Sequence, residues 1–190
     1  RDSLVIALTN VFTRPPVQIA RAAAALGELR PGGLALGLGA GDRRVRDAIG
    51  AADARFVEVT RDGIVAMRRL FAGETVTMQN DAFALKGVKL EFTPSGRVSF
   101  YVASTARPAF RMAGAVAAGV IIGDIADPTA IRSVFADVHG GSRAVGREPH
   151  SAKIVCWTTT VRTAQRTSVV EIMRRRLLPV TIESMHECAT

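Results

Sequence analysis

The segment with the clearest chemical promise is Gly37-Leu38-Gly39-Ala40-Gly41, which closes an apolar run. Glycines at a strand exit let backbone N–H groups come close to a pyrophosphate. A dinucleotide-binding fingerprint begun at Gly37 needs glycine at position 42, where the chain has Asp42, and no clear acidic residue ends a strand about 20 residues further on. The same glycines are also what a crowded strand end requires. Thr9-Asn10 offers donors and acceptors to a polar heterocycle, and such a pair serves a strand-to-helix turn equally well. Ser104-Thr105-Ala106 precedes a helix pattern, where free N–H groups and the positive dipole end can hold a phosphate. Either hydroxyl taken alone reads first as a plain N-cap.

Other reactive side chains are scattered. Asp124 and Asp127 have cation-binding chemistry, but Asp127 before Pro128 is the pattern of a helix cap. His139, His150 and His186 fall in a helix, a loop and the C-terminal tail, without the close pairing of a metal site or a catalytic triad, so no metal is expected. Trp157 has the shape to stack on a ring, and in a strand it more often fills a core. Neither a serine nucleophile elbow nor a Walker motif occurs.

The elements that must position these residues follow from apolar periodicity. Leu4 to Leu8 is a continuous apolar run, which suits a strand covered on both faces. Arg14-Pro15-Pro16 opens a helix that Pro31-Gly32-Gly33 stops, and Leu34 to Leu38 is the second strand. The charged stretch from Asp42 to Ala54 predicts a loop or short helix. Phe56, Val59, Ile64, Met67, Leu70 and Phe71 recur near a 3.6-residue period, a helix that Gly73 ends. Val76, Met78, Phe83 and Leu85 alternate around Asn80-Asp81 as a short β-hairpin would. Val98 to Ala103 is a third core strand, Arg107 to Ala117 a helix ended by Gly119, and Val120 to Ile122 a fourth strand. A helix from Asp127-Pro128 runs towards Gly140-Gly141. Ala152 to Val161 is a fifth strand, and Thr163 to Leu178 a last helix that Pro179 ends or kinks. Strand-then-helix units in series call for right-handed crossovers and a parallel sheet. The class is α/β, laid out either as an open doubly wound sheet or as part of an eight-unit barrel of about 250 residues. Both layouts put ligands at the carboxyl ends of the strands.

Composition narrows the function classes. The chain carries a net charge of +8, but its arginines lie in separate segments (Arg43, Arg44 and Arg46; Arg68 and Arg69; Arg174 to Arg176) and aromatics are only 5% of the residues. Without stacking residues beside a basic stripe, nucleic acid is not an expected partner. The longest apolar stretches, Ala22 to Leu26 and Gly114 to Ile122, stop well short of the roughly 20 residues of a membrane span. No basic segment followed by an apolar one opens the chain, so export is not indicated. Two isolated cysteines, Cys156 and Cys188, fit a reducing cytoplasm better than a disulfide framework. Arg1 at the start and Thr190 at the end of a helix tail lead us to expect a longer parent protein.

Taken in order, Ile6-Ala7-Leu8-Thr9-Asn10-Val11-Phe12-Thr13-Arg14-Pro15-Pro16, Leu36-Gly37-Leu38-Gly39-Ala40-Gly41 and Ala113-Gly114 with Gly119 resemble the luciferase-like monooxygenase superfamily. Arg68-Arg69-Leu70-Phe71-Ala72-Gly73-Glu74, Tyr101-Val102-Ala103-Ser104 and Gly146-Arg147-Glu148-Pro149 are similar too, and the set looks closest to the methylenetetrahydromethanopterin-reductase-like, deazaflavin-using branch. The resemblance implies a (β/α)8 TIM-barrel type, present here as an incomplete barrel of about five β/α units with a short hairpin insertion. It implies a chain that starts near the third barrel strand and ends before the eighth. It further implies FMN or coenzyme F-420 at the strand carboxyl ends, with hydride transfer or oxygen activation on a small organic substrate. By motif match a non-prolyl cis peptide falls at Ala7-Leu8, Thr9 and Asn10 lie beside the ring, Gly39, Ala40 and Gly41 form a loop near it, and Ser104, Thr105 and Ala106 hold the cofactor phosphate.

The chain departs from the family at two points. Ala106 stands where the phosphate turn usually has glycine, and Ala117-Ala118-Gly119 replaces a frequent Ala-Asp-Gly. Acid and base residues of related enzymes often lie on the first two barrel strands, so no catalytic residue is assigned. We expect one partial barrel domain over residues 1–190, acting on a small molecule, with no membrane or nucleic-acid partner and a homo-oligomeric state. Two rivals stand beside this: a non-catalytic assembly module and an open NAD(P)-binding α/β domain.

Overall fold

The computed structural model describes residues 4–29, 32–41, 43–51, 55–92, 94–123, 125, 127–158, 162 and 171. Five parallel strands, β1 (Leu4–Thr9), β2 (Leu34–Leu38), β5 (Val98–Ala103), β6 (Gly119–Gly123) and β7 (Lys153–Trp157), make one sheet in that spatial order. It curls into a half-barrel. Between the strands run α1 (Pro16–Glu28), α2 (Arg43–Ala48), α3 (Phe56–Phe71), α4 (Arg107–Val116) and α5 (Pro128–Ala144). The hairpin is β3 (Val76–Gln79) against β4 (Ala84–Val88), antiparallel and separate from the main sheet.

Local chemistry accounts for most boundaries. Pro16 sits in the first turn of α1, where a missing N–H is harmless. Asp127 caps α5 by accepting from the Ala130 N–H at 2.7 Å, so its role is that of a cap. Asn80 Oδ1 accepts from the Ala82 and Phe83 N–H groups at 3.0 and 3.1 Å and turns the hairpin. Helix α5 runs through Gly140-Gly141 to Ala144, because both glycines lie inside it. A Cβ on Gly114 would overlap the Val138 carbonyl oxygen, and one on Gly141 the Arg111 carbonyl oxygen. These two glycines let α4 and α5 touch backbone to backbone.

Leu34, Leu36, Leu38, Phe100, Val102, Val120 and Ile122 form the helix-side core with Ile64, Met67, Leu70, Phe110 and Val138. On the opposite, concave face Tyr101 and Ile121 are buried at the centre, and among the described residues no second layer covers the outer strands. There Val5 is 56% and Trp157 65% exposed, so neither the expected two-sided burial of the first strand nor a core place for the tryptophan holds. Among the described residues β1 and β7 are the outermost strands of the sheet, and no second layer covers their concave side. β7 also ends earlier than its sequence pattern, at Trp157, with 159–161 outside the described residues. Gly119 opens β6 rather than following α4 as a stop. Of the expected last helix over 163–178 only Glu171 is among the described residues, and it is helical.

Candidate active site at the strand carboxyl ends

Three strand ends meet at one rim. The Ala7-Leu8 peptide is cis. Ile6 pairs with Leu36 and Thr9 with Leu38, so β1 carries one residue more than β2 across that bond. The Gly39 N–H donates to the Thr9 carbonyl at 3.1 Å. A Cβ on Gly39 would lie 2.6 Å from the Ala103 carbonyl oxygen and 3.2 Å from Leu8 Cδ2, so only glycine lets the end of β2 fit between β1 and β5. Gly41 has φ +75° and lies close to Asn10 Nδ2. Ala7 to Asn10 and Gly39 to Gly41 are thus in mutual contact, and Ser104 follows directly from Ala103.

Asn10 is fixed by its own turn. Its Oδ1 accepts from the Phe12 N–H (3.1 Å), the Thr13 N–H (2.8 Å) and the Thr13 hydroxyl (3.0 Å), which turns the Nδ2 donor towards Gly41. At the head of α4 the expected serine or threonine cap is absent. Ser104 Oγ accepts from the Ala106 N–H at 3.1 Å, one residue ahead of the helix, and no side chain caps α4 itself. The N-cap residue is Ala106, with φ −89° and ψ 133°, an ordinary extended conformation. Alanine therefore meets no backbone penalty where glycine is usual. Thr105 is exposed, and Gly123 at the end of β6 has open space where a Cβ would stand. Asp124 lies outside the described residues.

Two arrangements went unseen in the sequence. His139 and His150 are paired after all, with ring centroids 4.5 Å apart and Phe135 edge-on to His139 at 5.6 Å. Residues 11 apart became neighbours because the chain folds back from α5 before β7. Burial, reinforced by the charges of His150 and Arg143, holds the His139 pKa below its ordinary value. The pair lies outside the strand-end rim. Among the described residues no group of three or more His, Cys, Asp or Glu side chains is placed to hold a metal ion, and no helix is long and apolar enough to cross a membrane. The second arrangement is the buried carboxylate of Asp137, bonded to Arg107 and Arg111 of α4. The i, i+4 arginine spacing was visible, but its partner comes from another helix.

The family model for luciferase-like monooxygenases matches residues 3–187. The chain belongs to that family. It is 28% identical over 169 residues to the 5,10-methylenetetrahydromethanopterin reductase of Methanolobus tindarius, covering 87% of this chain and 51% of the relative. Its fold is similar to an F420-dependent secondary alcohol dehydrogenase solved with an F420-acetone adduct (TM-score 0.71, 21% identity, 80% of this chain and 48% of the other). It is also similar to the monooxygenase RslO1 from Streptomyces bottropensis (TM-score 0.71, 18% identity, 99% and 58%). At those identities the two structures speak for the luciferase-like barrel fold, and the family assignment sets the open NAD(P)-binding reading aside. The chain spans about half the length of the reductase it matches.

Proposed function

We propose that the chain forms the cofactor-holding part of an FMN- or F-420-dependent oxidoreductase acting on a small organic substrate. The observation that carries this reading is the convergence of Ala7–Asn10, Gly39–Gly41 and Ser104–Ala106 at one rim of the sheet, beside an α4 N-terminus that no side chain caps. A flat ring system fits there: Leu8 is 46% exposed, and glycine at 123 leaves the neighbouring strand end clear. The Asn10 Nδ2 supplies a fixed donor, since its Oδ1 is fully engaged. The first turn of α4, with the positive end of its dipole, suits a phosphate. A bound flavin or deazaflavin supplies the two-electron chemistry, and the protein's part is to bind, orient and shield it. A homo-oligomer working in a reducing cytoplasm belongs to the same reading, and a free thiol at Cys156 is compatible with that compartment.

Fluorescence titration of the intact protein with FMN and with F-420 tests it. Saturable binding of at least one, weakened by Asn10→Ala, is the expected result. Failure of both to bind overturns the proposal.

A further inference from the structure

Asp137 lies in the middle of α5, 4% exposed, and accepts three hydrogen bonds from α4. Arg107 Nε donates to Oδ2 at 2.8 Å and Arg107 Nη2 to Oδ1 at 3.2 Å; Arg111 Nε donates to Oδ1 at 3.0 Å. Both arginines sit in the first half of α4, Arg107 as its first residue, at the pole where the helix dipole disfavours cations. The opposite pole follows the ordinary rule: Arg147 Nη1 donates to the Gly114 and Ala117 carbonyls at 2.6 and 2.9 Å. Helix electrostatics therefore does not explain two guanidinium groups at the head of α4. They are held there by a carboxylate brought in from another element.

The Arg107–Asp137 contact is side-on, using Nε and Nη2, so Nη1 takes no part in it. The Arg107 side chain is 67% exposed, although its partner is buried, and it follows directly on Ala106. A cation anchored on one edge and open on the other, next to the turn assigned above to the cofactor phosphate, is a second anion-binding element.

We propose that Arg107 contacts the cofactor phosphate and that Asp137 is the positioning residue that aims it. This rests on the reading of Ser104–Ala106 as the phosphate end of the site. A simple staple between α4 and α5 would use the same bonds, and the two roles differ in what they do to ligands with and without a phosphate.

The experiment is equilibrium binding to the intact protein of FMN against riboflavin, and of F-420 against its phosphate-free deazaflavin alcohol. The natural protein is expected to favour each phosphorylated ligand. Arg107→Gln is expected to weaken the phosphorylated ligands about tenfold and to leave the phosphate-free ones within roughly twofold. Asp137→Asn should give the same selective loss, and the double variant no more than Arg107→Gln alone, because Asp137 acts through Arg107. Equal losses for both kinds of ligand, no loss, or full additivity would overturn the inference. If the natural protein binds FMN and F-420 but shows no preference for the phosphate, the phosphate assignment of the turn fails instead. If it binds no flavin at all, the proposed function fails. Should Asp137→Asn not fold, Arg107→Gln still decides whether the contact exists, since that side chain is exposed and Asp137 keeps Arg111. Asp137→Glu, which keeps the charge and shifts its position, then decides the positioning role by the same ligand ratio: a selective loss supports it, and an unchanged ratio rejects it.

Discussion

The two faces of the curled sheet are built on opposite terms. On the convex side α4 and α5 are locked by backbone contact at Gly114 and Gly141, by the buried Asp137 and by Arg147 across the α4 carbonyls. On the concave side Val5, Val155 and Trp157 stand in solvent, and the hollow between the strands, about 330 Å³, is lined by Ala35, Ser99, Tyr101 and Lys153. Close packing and buried polar contacts are concentrated in the helices behind the strand ends. The surface those ends enclose contributes little to holding the molecule together.

Gly114→Leu should break this contrast most severely. Its side chain would have to displace the Val138 backbone, and a loss of about 3 kcal/mol or more, read as a large drop in melting temperature or failure to fold, is the expected outcome. Arg147→Ala comes next. It leaves the Gly114 and Ala117 carbonyls without the guanidinium, Gly114 keeping only the Ser142 hydroxyl at 3.0 Å, and should cost about 2 kcal/mol by denaturant unfolding.

Acid acts through Asp137, whose carboxyl is held below its ordinary range, first by its hydrogen bonds from Arg107. A depressed carboxylate contributes stability that is complete above about pH 4 and disappears as pH falls through the lowered folded value. Asp137→Asn should flatten that part of the melting-temperature profile. His139 gives a smaller effect near neutrality. Its pKa is lowered by burial, so the unfolded chain binds more protons below about pH 6.5, and stability declines as pH falls from there towards the folded value. A His139→Gln variant whose melting temperature drops as much as the natural protein's between about pH 7.5 and 5.5 would contradict this. The smallest effect should be on the concave face, where Val5→Ser is expected to change stability by less than about 0.5 kcal/mol. A loss like that of Arg147→Ala would erase the contrast.

Elements whose signal is local were legible in the sequence. The 3.6-residue period of α3, the alternation flanking Asn80-Asp81 and the Asp127-Pro128 cap each depend on neighbours in the chain, and each lies where expected. The glycine-rich exit of β2 was legible as a crowded strand end, and the Ala103 carbonyl beside Gly39 is what crowds it. Burial was not legible for β1, because an apolar run cannot say whether a second layer covers it. Nor could the sequence show that Ser104 bonds ahead of α4 instead of capping it, or that Asp137 reaches back to Arg107. Those depend on how one unit of the barrel rests on the next.

Trp157 is the one tryptophan of the 190 residues, and it ends β7 largely exposed at the same rim as the other strand ends. The sequence therefore places its single indole, which can be excited selectively at the red edge of protein absorption, at the mouth of the candidate site. Its emission gives an optical readout of that mouth without any label, and its colour and quenching report directly on what enters.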